Sequence, residues 1–147
     1  MATKGKGAKF HLWDSTLATP ALRKVAEVLS ITPPVPTRDT IDVTNHDSSG
    51  DYREFITSLI DAGEASVMVN HNPGSTDDLA IQAAFAAGNL IAFAIDLNRP
   101  GGGTQRRTSG TCIVSGYEPA DVVIDDKMTA TLTLKVSGPL TFGVSPA

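Results

Sequence analysis

The residues that could do chemistry are scattered along the chain. His11, His46 and His71 are the three histidines, and none stands at a metal-ligand spacing from another histidine or from Cys112, the single cysteine. Serines are plentiful, but neither a GxSxG elbow nor an HExxH helix occurs. Gly101-Gly102-Gly103 invites a phosphate reading, yet it lacks the Gly-Lys-Ser/Thr ending with which a P-loop grips phosphate and magnesium. Asp39, Asp42, Asp47, Asp51 and Glu54 crowd one region at a density that could hold Ca2+. Their spacing is not that of an EF-hand loop and two of them fall on a predicted strand, so a solvated or interface loop accounts for them better. Asp125-Asp126 receives the same reading. Thr104 to Thr108 holds a small basic cluster, Arg106-Arg107, better suited to a strand edge or an intersubunit contact than to DNA. No catalytic, cofactor-binding or metal-ligating constellation emerges.

Composition narrows the field further. The chain has 147 residues, enough for one domain with a real core and no need of a disulfide or metal staple. With 41% apolar and 19% charged residues it is globular rather than disordered. The formal net charge of −4 argues against tight nucleic-acid binding, which needs a basic face to displace counterions. One cysteine excludes an intramolecular disulfide, and Cys112 reads as a small buried hydrophobe on a strand. The basic stretch Met1 to Lys9 is followed by no long apolar run, so it does not read as a signal peptide; folding in the cytoplasm and no membrane anchor are expected.

Hydropathy patterning predicts many short strands and one helix. Residues 1–8 read as a flexible leader and 9–147 as a single domain. Lys9 to Trp13 alternates, with Phe10 and Leu12 on one side. Val25 to Ile31 reads as one strand with Val25, Glu27, Leu29 and Ile31 on a face, although Ala21 to Leu29 tolerates a short helix. Pro33, Pro34 and Pro36 force an extended connector, and Arg38 to Thr44 resumes a strand with one polar face. The stretch 33–50 is too long and polar for a hairpin turn and reads as an extended arm and loop. Tyr52 to Gly63 is ambiguous: Phe55, Leu59 and Ile60 fit a helical turn that Gly63 would end. Glu64 to Asn70, Leu90 to Asp96 and Thr111 to Tyr117 read as strands. Ser75 as N-cap, Asp77 and Asp78 in the first turn and Gly88 as the C-terminal stop predict a helix over 76–87, with Leu79, Ala80, Ala83 and Ala84 as its apolar stripe. The cleanest pattern is Asp126 to Val136. Met128, Ala130, Leu132, Leu134 and Val136 face one way against a Thr/Lys face, and Gly138-Pro139 is expected to stop the strand. Seven or eight strands with a helix lidding an open sheet end give a mainly β fold, an antiparallel β-sandwich or barrel-like subunit.

Three segments in order carry a resemblance. They are Pro36 to Asp47 (PTRDTIDVTNHD), Tyr52 to Ile56 with Leu59 to Glu64 (YREFI, LIDAGE), and Asp126 to Gly138 (DKMTATLTLKVSG). Together they resemble the major tail tube protein of long, non-contractile-tailed, lambda-like phages (siphoviruses), over about residues 9–140. The extra carboxy-terminal immunoglobulin-like domain that some members carry is not expected here. The resemblance implies a structural virion protein and no enzyme. Its subunits would form stacked sixfold rings whose inner strands close into one β-barrel, a tube through which DNA passes without specific binding. Its implied partners are other copies of itself and the tape measure, tail tip and tail terminator proteins.

An edge strand that is a hazard in a monomer loses its edge in a closed ring. On that basis Arg38, Asp39, Asp42, Asn45, His46, Asp47, Asp51, Arg53, Arg106 and Arg107 are expected at subunit or ring interfaces, with the 33–50 arm crossing to a neighbour. The Thr/Lys face of 127–135 could line the bore or the outer wall. Rival readings are another tail component of the same fold, such as a terminator or a secretion-system tube, and a soluble β-sandwich binding module. The second would want a flat aromatic face, whereas Trp13, Tyr52 and Tyr117 lie scattered along the chain.

Overall fold

The computed structural model describes residues 3–48 and 50–146. Its strands are β1 (Lys9–Asp14), β2 (Ala21–Lys24), β3 (Val28–Thr32), β4 (Thr37–Asp42), β5 (Phe55–Asp61), β6 (Glu64–Asn70), β7 (Ile91–Leu97), β8 (Arg106–Pro119) and β9 (Thr129–Val144), with helix α1 (Thr76–Ala87) between β6 and β7. Seven strands form an antiparallel sheet in the order β2-β1-β7-β8-β9-β6-β3, and β4 and β5 pair only with each other.

The sheet curls almost into a barrel. β2 and β3 lie at opposite edges of the strand order, yet only Val25-Ala26-Glu27 separates them. That corner is stitched to both sides: Val25 N–H donates to Phe10 O at 2.9 Å, and Asn70 N–H donates to Glu27 O at 3.1 Å. Val25 to Ile31 is therefore not one strand. Glu27 takes a left-handed conformation at φ 56°, a turn of the chain that no alternation pattern signals. Ala21 to Leu29 contains no helix, and Leu29 points outward.

The concave face holds the core. Phe10 and Leu12 of β1, Val67 and Val69 of β6, Phe93 and Ile95 of β7, Cys112 and Val114 of β8, and Ala130, Leu132, Leu134 and Val136 of β9 are buried together. The period-two faces expected for β1 and β9 are the ones buried. α1 lies against β8 and contributes Ile81 and Ala84. Its ends follow the expected chemistry. Ser75 Oγ accepts from Asp78 N–H at 3.2 Å, and Gly88, at φ 66°, donates its N–H to Ala84 O. The buried stripe differs from expectation: Asp78, Ala80, Ile81 and Ala84 face inward, and Leu79 and Phe85 are half exposed.

Two further expectations are corrected. Tyr52 to Gly63 is not helical; Phe55–Asp61 is a strand. Gly138-Pro139 does not stop β9. The register shifts from Thr111↔Ser137 to Ser109↔Thr141, so 138–140 form a bulge in which Pro139 forfeits no ladder hydrogen bond. A glycine, Gly110, stands opposite the bulge, where a β-carbon would be tight: it would meet Pro139 O at 3.2 Å and Leu140 Cδ2 at 3.3 Å.

Candidate assembly surfaces

The β4–β5 ribbon leaves the barrel at a tight root. Pro34 and Ala62 are buried there, and Gly63, at φ 81°, lets the chain turn against Val35. From Val35 to Asp61 every described side chain is exposed apart from the half-buried Ser48 and Ser58. Ile41 pairs with Ile56, Asp42 with Phe55 and Arg38 with Ile60, so the ribbon carries Ile41, Val43, Phe55, Ile56, Leu59 and Ile60 into solvent. A lone two-stranded ribbon is marginal in water. The ribbon thus presents exposed apolar side chains that belong to no core of its own.

The ribbon gathers most of the predicted interface residues. Arg38, Asp39 and Asp42 lie on β4; Asn45, His46 and Asp47 form its outer turn; Asp51 and Arg53 lead back into β5. Side-chain oxygens hold the turn together. Asp42 accepts from Thr44 N–H at 2.9 Å, and the Thr44 hydroxyl first and this N–H second hold its carboxyl below the usual range; Asn45 Oδ1 accepts from Asp47 N–H at 2.7 Å. Among the described residues no three His, Cys, Asp or Glu side chains converge as a cation cage. The 33–50 stretch is thus half of a paired ribbon rather than a single arm.

Arg106 and Arg107 sit elsewhere, at the start of β8, and they part company. Arg106 is exposed. Arg107 donates to both oxygens of buried Asp96 from Nε (2.7 Å) and Nη2 (3.0 Å), and Ser145 Oγ donates to Asp96 as well. Burial alone would raise the Asp96 carboxyl, but these bonds hold it below its ordinary value. Arg107 is therefore a strut within the subunit. A second strut spans three elements: Arg23 of β2 donates to Asp14 of β1 at 2.7 Å and to Asp77 of α1. A third pins the helix, with Tyr117 Oη donating to Asp78 at 2.8 Å. Burial pushes the Cys112 thiol up to about 12, which keeps it protonated and inert.

Two surfaces escaped the sequence reading. A groove of about 910 Å3 runs between the ribbon root and the β9 bulge, lined by Leu59, Ile60, Val136, Pro139, Leu140 and Phe142 with Arg38 at its side. At the far end of the β8–β9 ladder, Val122, Val123 and Ile124 stand exposed between Asp121 and Asp125. The apolar run Val122 to Ile124 between Asp121 and Asp125 was the available signal for the second.

A family model described as lambda phage tail tube protein, TTP, matches residues 5–143. The chain belongs to this family. It is a structural subunit of a phage tail tube, a component of the virion that assembles with copies of itself. Solved structures share the tail-tube fold at low identity. The tail of an empty gene transfer agent particle, refined with C6 symmetry, matches with TM-score 0.71 at 19% identity, over 96% of this chain and 98% of that one. The SPP1 tail tube matches with TM-score 0.70 at 13% identity, over 98% and 80%. A sheath/tube terminator of an extracellular contractile injection system matches with TM-score 0.72 at 10% identity, over 97% and 96%. No curated protein sequence matches the chain. Among the described residues, no helix of this tail tube protein is long and apolar enough to cross a membrane.

Proposed function

We propose that six copies of this subunit close into a ring, that rings stack into the tube, and that the β4–β5 ribbon is the element each copy lays over a neighbour. The observation that carries the reading is the ribbon itself. Its apolar side chains stand half or more exposed for the most part and join none of the buried core, and burying them is worth roughly 25 cal/mol per Å2 of apolar surface. The sixfold count draws on the C6 symmetry of the gene transfer agent tail. Arg38, Asp39, Asp42, Asn45, His46, Asp47, Asp51 and Arg53 ride on the ribbon and set its register on the neighbour, while Arg106 meets a partner from the start of β8.

DNA passes through such a tube without specific binding. The net charge of −4 suits a wall that repels phosphate, and the subunit performs no catalysis. The tube would meet a tape measure protein in its bore, a tail tip at one end and a terminator at the other. Negative-stain electron microscopy of the purified chain, alone and with tail-tip or tape-measure partners, tests the reading. Hollow stacked rings are expected, and a protein that stays monomeric under both conditions overturns it.

A further inference from the structure

The two ends of the β8–β9 ladder are complementary. Glu118 and Pro119 pair with Thr131 and Ala130 at one end, and Arg106 pairs with Val144 at the other. At the first end the loop from Asp121 to Asp126 presents Val122, Val123 and a fully exposed Ile124. Residues 118–134 hold Glu118, Asp121, Asp125 and Asp126 against the single cation Lys127. The second end has the opposite character. Segments 3–9 and 97–107 hold six cations and no carboxylate. Lys4, Lys6 and Arg99 surround a hollow there beside Gly102 and Gly103, and only Arg107 of the six is tied to an internal carboxylate among the described residues.

The concave face is also unfinished at that basic end. α1 covers it over β8 near Tyr117, but Leu97, Phe142 and Val144 continue the core faces of β7 and β9 and remain exposed. Leu59 and Ile60 stand across the groove from Leu140 and Phe142. Of the two carboxylates in the groove, Asp61 has Lys135 at 3.6 Å, which leaves Arg38 to answer Asp39 or an incoming acid.

We propose that the Val122-Val123-Ile124 tip of one copy seats in the open, basic end of the concave face of the next copy, against Leu140 and Phe142, so that subunits join head to tail along the β8–β9 direction. This rests on the tail-tube reading and names the surfaces that carry the contact between copies. Tip and groove are different surfaces at opposite ends of one molecule, so the contact is heterologous and propagates instead of closing as a twofold dimer. Apolar tip against apolar groove supplies the burial. The acidic frame against the basic rim sets the polarity and rejects tip-to-tip or groove-to-groove pairing.

Cysteine pairing tests it, since Cys112 is buried and silent. The full chain carrying Ile124→Cys and Phe142→Cys together is oxidised under assembly conditions and run on a non-reducing gel, with each single variant and their mixture beside it. A ladder of dimers, trimers and longer species from the double variant is expected. The mixture should give a heterodimer in excess of either homodimer. If tubes form but the ladder is missing, the contact is wrong and the tail-tube reading stands. Cross-linking of Phe142→Cys to Phe55→Cys in its place would assign the groove to a neighbour's ribbon and overturn the proposal. Neither tubes nor ladder would remove both.

Discussion

A β-carbon placed on Gly63 would lie 2.7 Å from the carbonyl oxygen of Val35. This contact sits at the root of the β4–β5 ribbon, where the strand leaving the ribbon passes the segment that enters it. The backbone of Gly63 is left-handed as well, at φ 81°. Gly63→Ala should therefore cost about 1–2 kcal/mol from the conformation alone, with the clash added, and should splay the ribbon from the barrel. Chemical denaturation reads the first effect. Proteolytic nicking confined to residues 37–61 reads the second.

Exposed ribbon side chains should matter to assembly and hardly at all to the fold. Phe55→Ser with Leu59→Ser removes apolar surface that is 54% and 85% exposed. Monomer stability should stay within about 0.5 kcal/mol of the parent, as for other surface changes, while tube yield collapses. Deleting residues 45–50 should have the same outcome, a folded monomer that forms no tubes. Sedimentation and a thermal melt on one preparation separate the two properties.

Arg107→Ala should behave in the reverse way to ribbon variants. It strands the buried Asp96 carboxylate, and breaking one side of a buried pair costs about 3–5 kcal/mol. Arg23→Ala strands Asp14 in the same manner. Both should fail in thermal unfolding before any assembly assay is reached, whereas Arg106→Ala should melt like the parent.

Acid should unfold the subunit in two stages. Burial holds the His11 imidazole below its usual pKa, with Asp96 opposing more weakly. A depressed folded pKa means that the unfolded chain takes up the proton first, so this contribution is complete above about pH 6.5 and fades below it. Asp14, Asp78 and Asp96 are all buried but held below the ordinary carboxylate value by their hydrogen bonds. Their contribution is intact above about pH 4 and is lost as the pH falls further. Melting temperature against pH should decline gently under 6.5 and steeply under 4. His11→Gln should flatten the first slope only.

The most legible elements were those with one face on the core or with capping residues at both ends. β9 alternates because one face is buried, and α1 declares itself through Ser75 and Gly88. β5 has no such alternation: neither face meets a core, so Phe55, Leu59 and Ile60 fit a helical spacing equally well. The corner at Glu27 breaks a run of β-branched residues without a glycine or proline to announce it. Gly138-Pro139 reads as a stop until the bulge opposite Gly110 is known. Arg107 looked like a free strand-edge cation, because its partner Asp96 belongs to the adjacent strand and the pairing depends on register.

The ribbon's place in the assembled tube tests the account most directly. A cryo-electron microscopy reconstruction of tubes grown from the purified chain would show it. Residues 37–61 should lie ordered against a neighbouring copy, with Ile41, Phe55, Ile56 and Leu59 buried in that contact. A tube in which the ribbon still faces solvent would contradict the account.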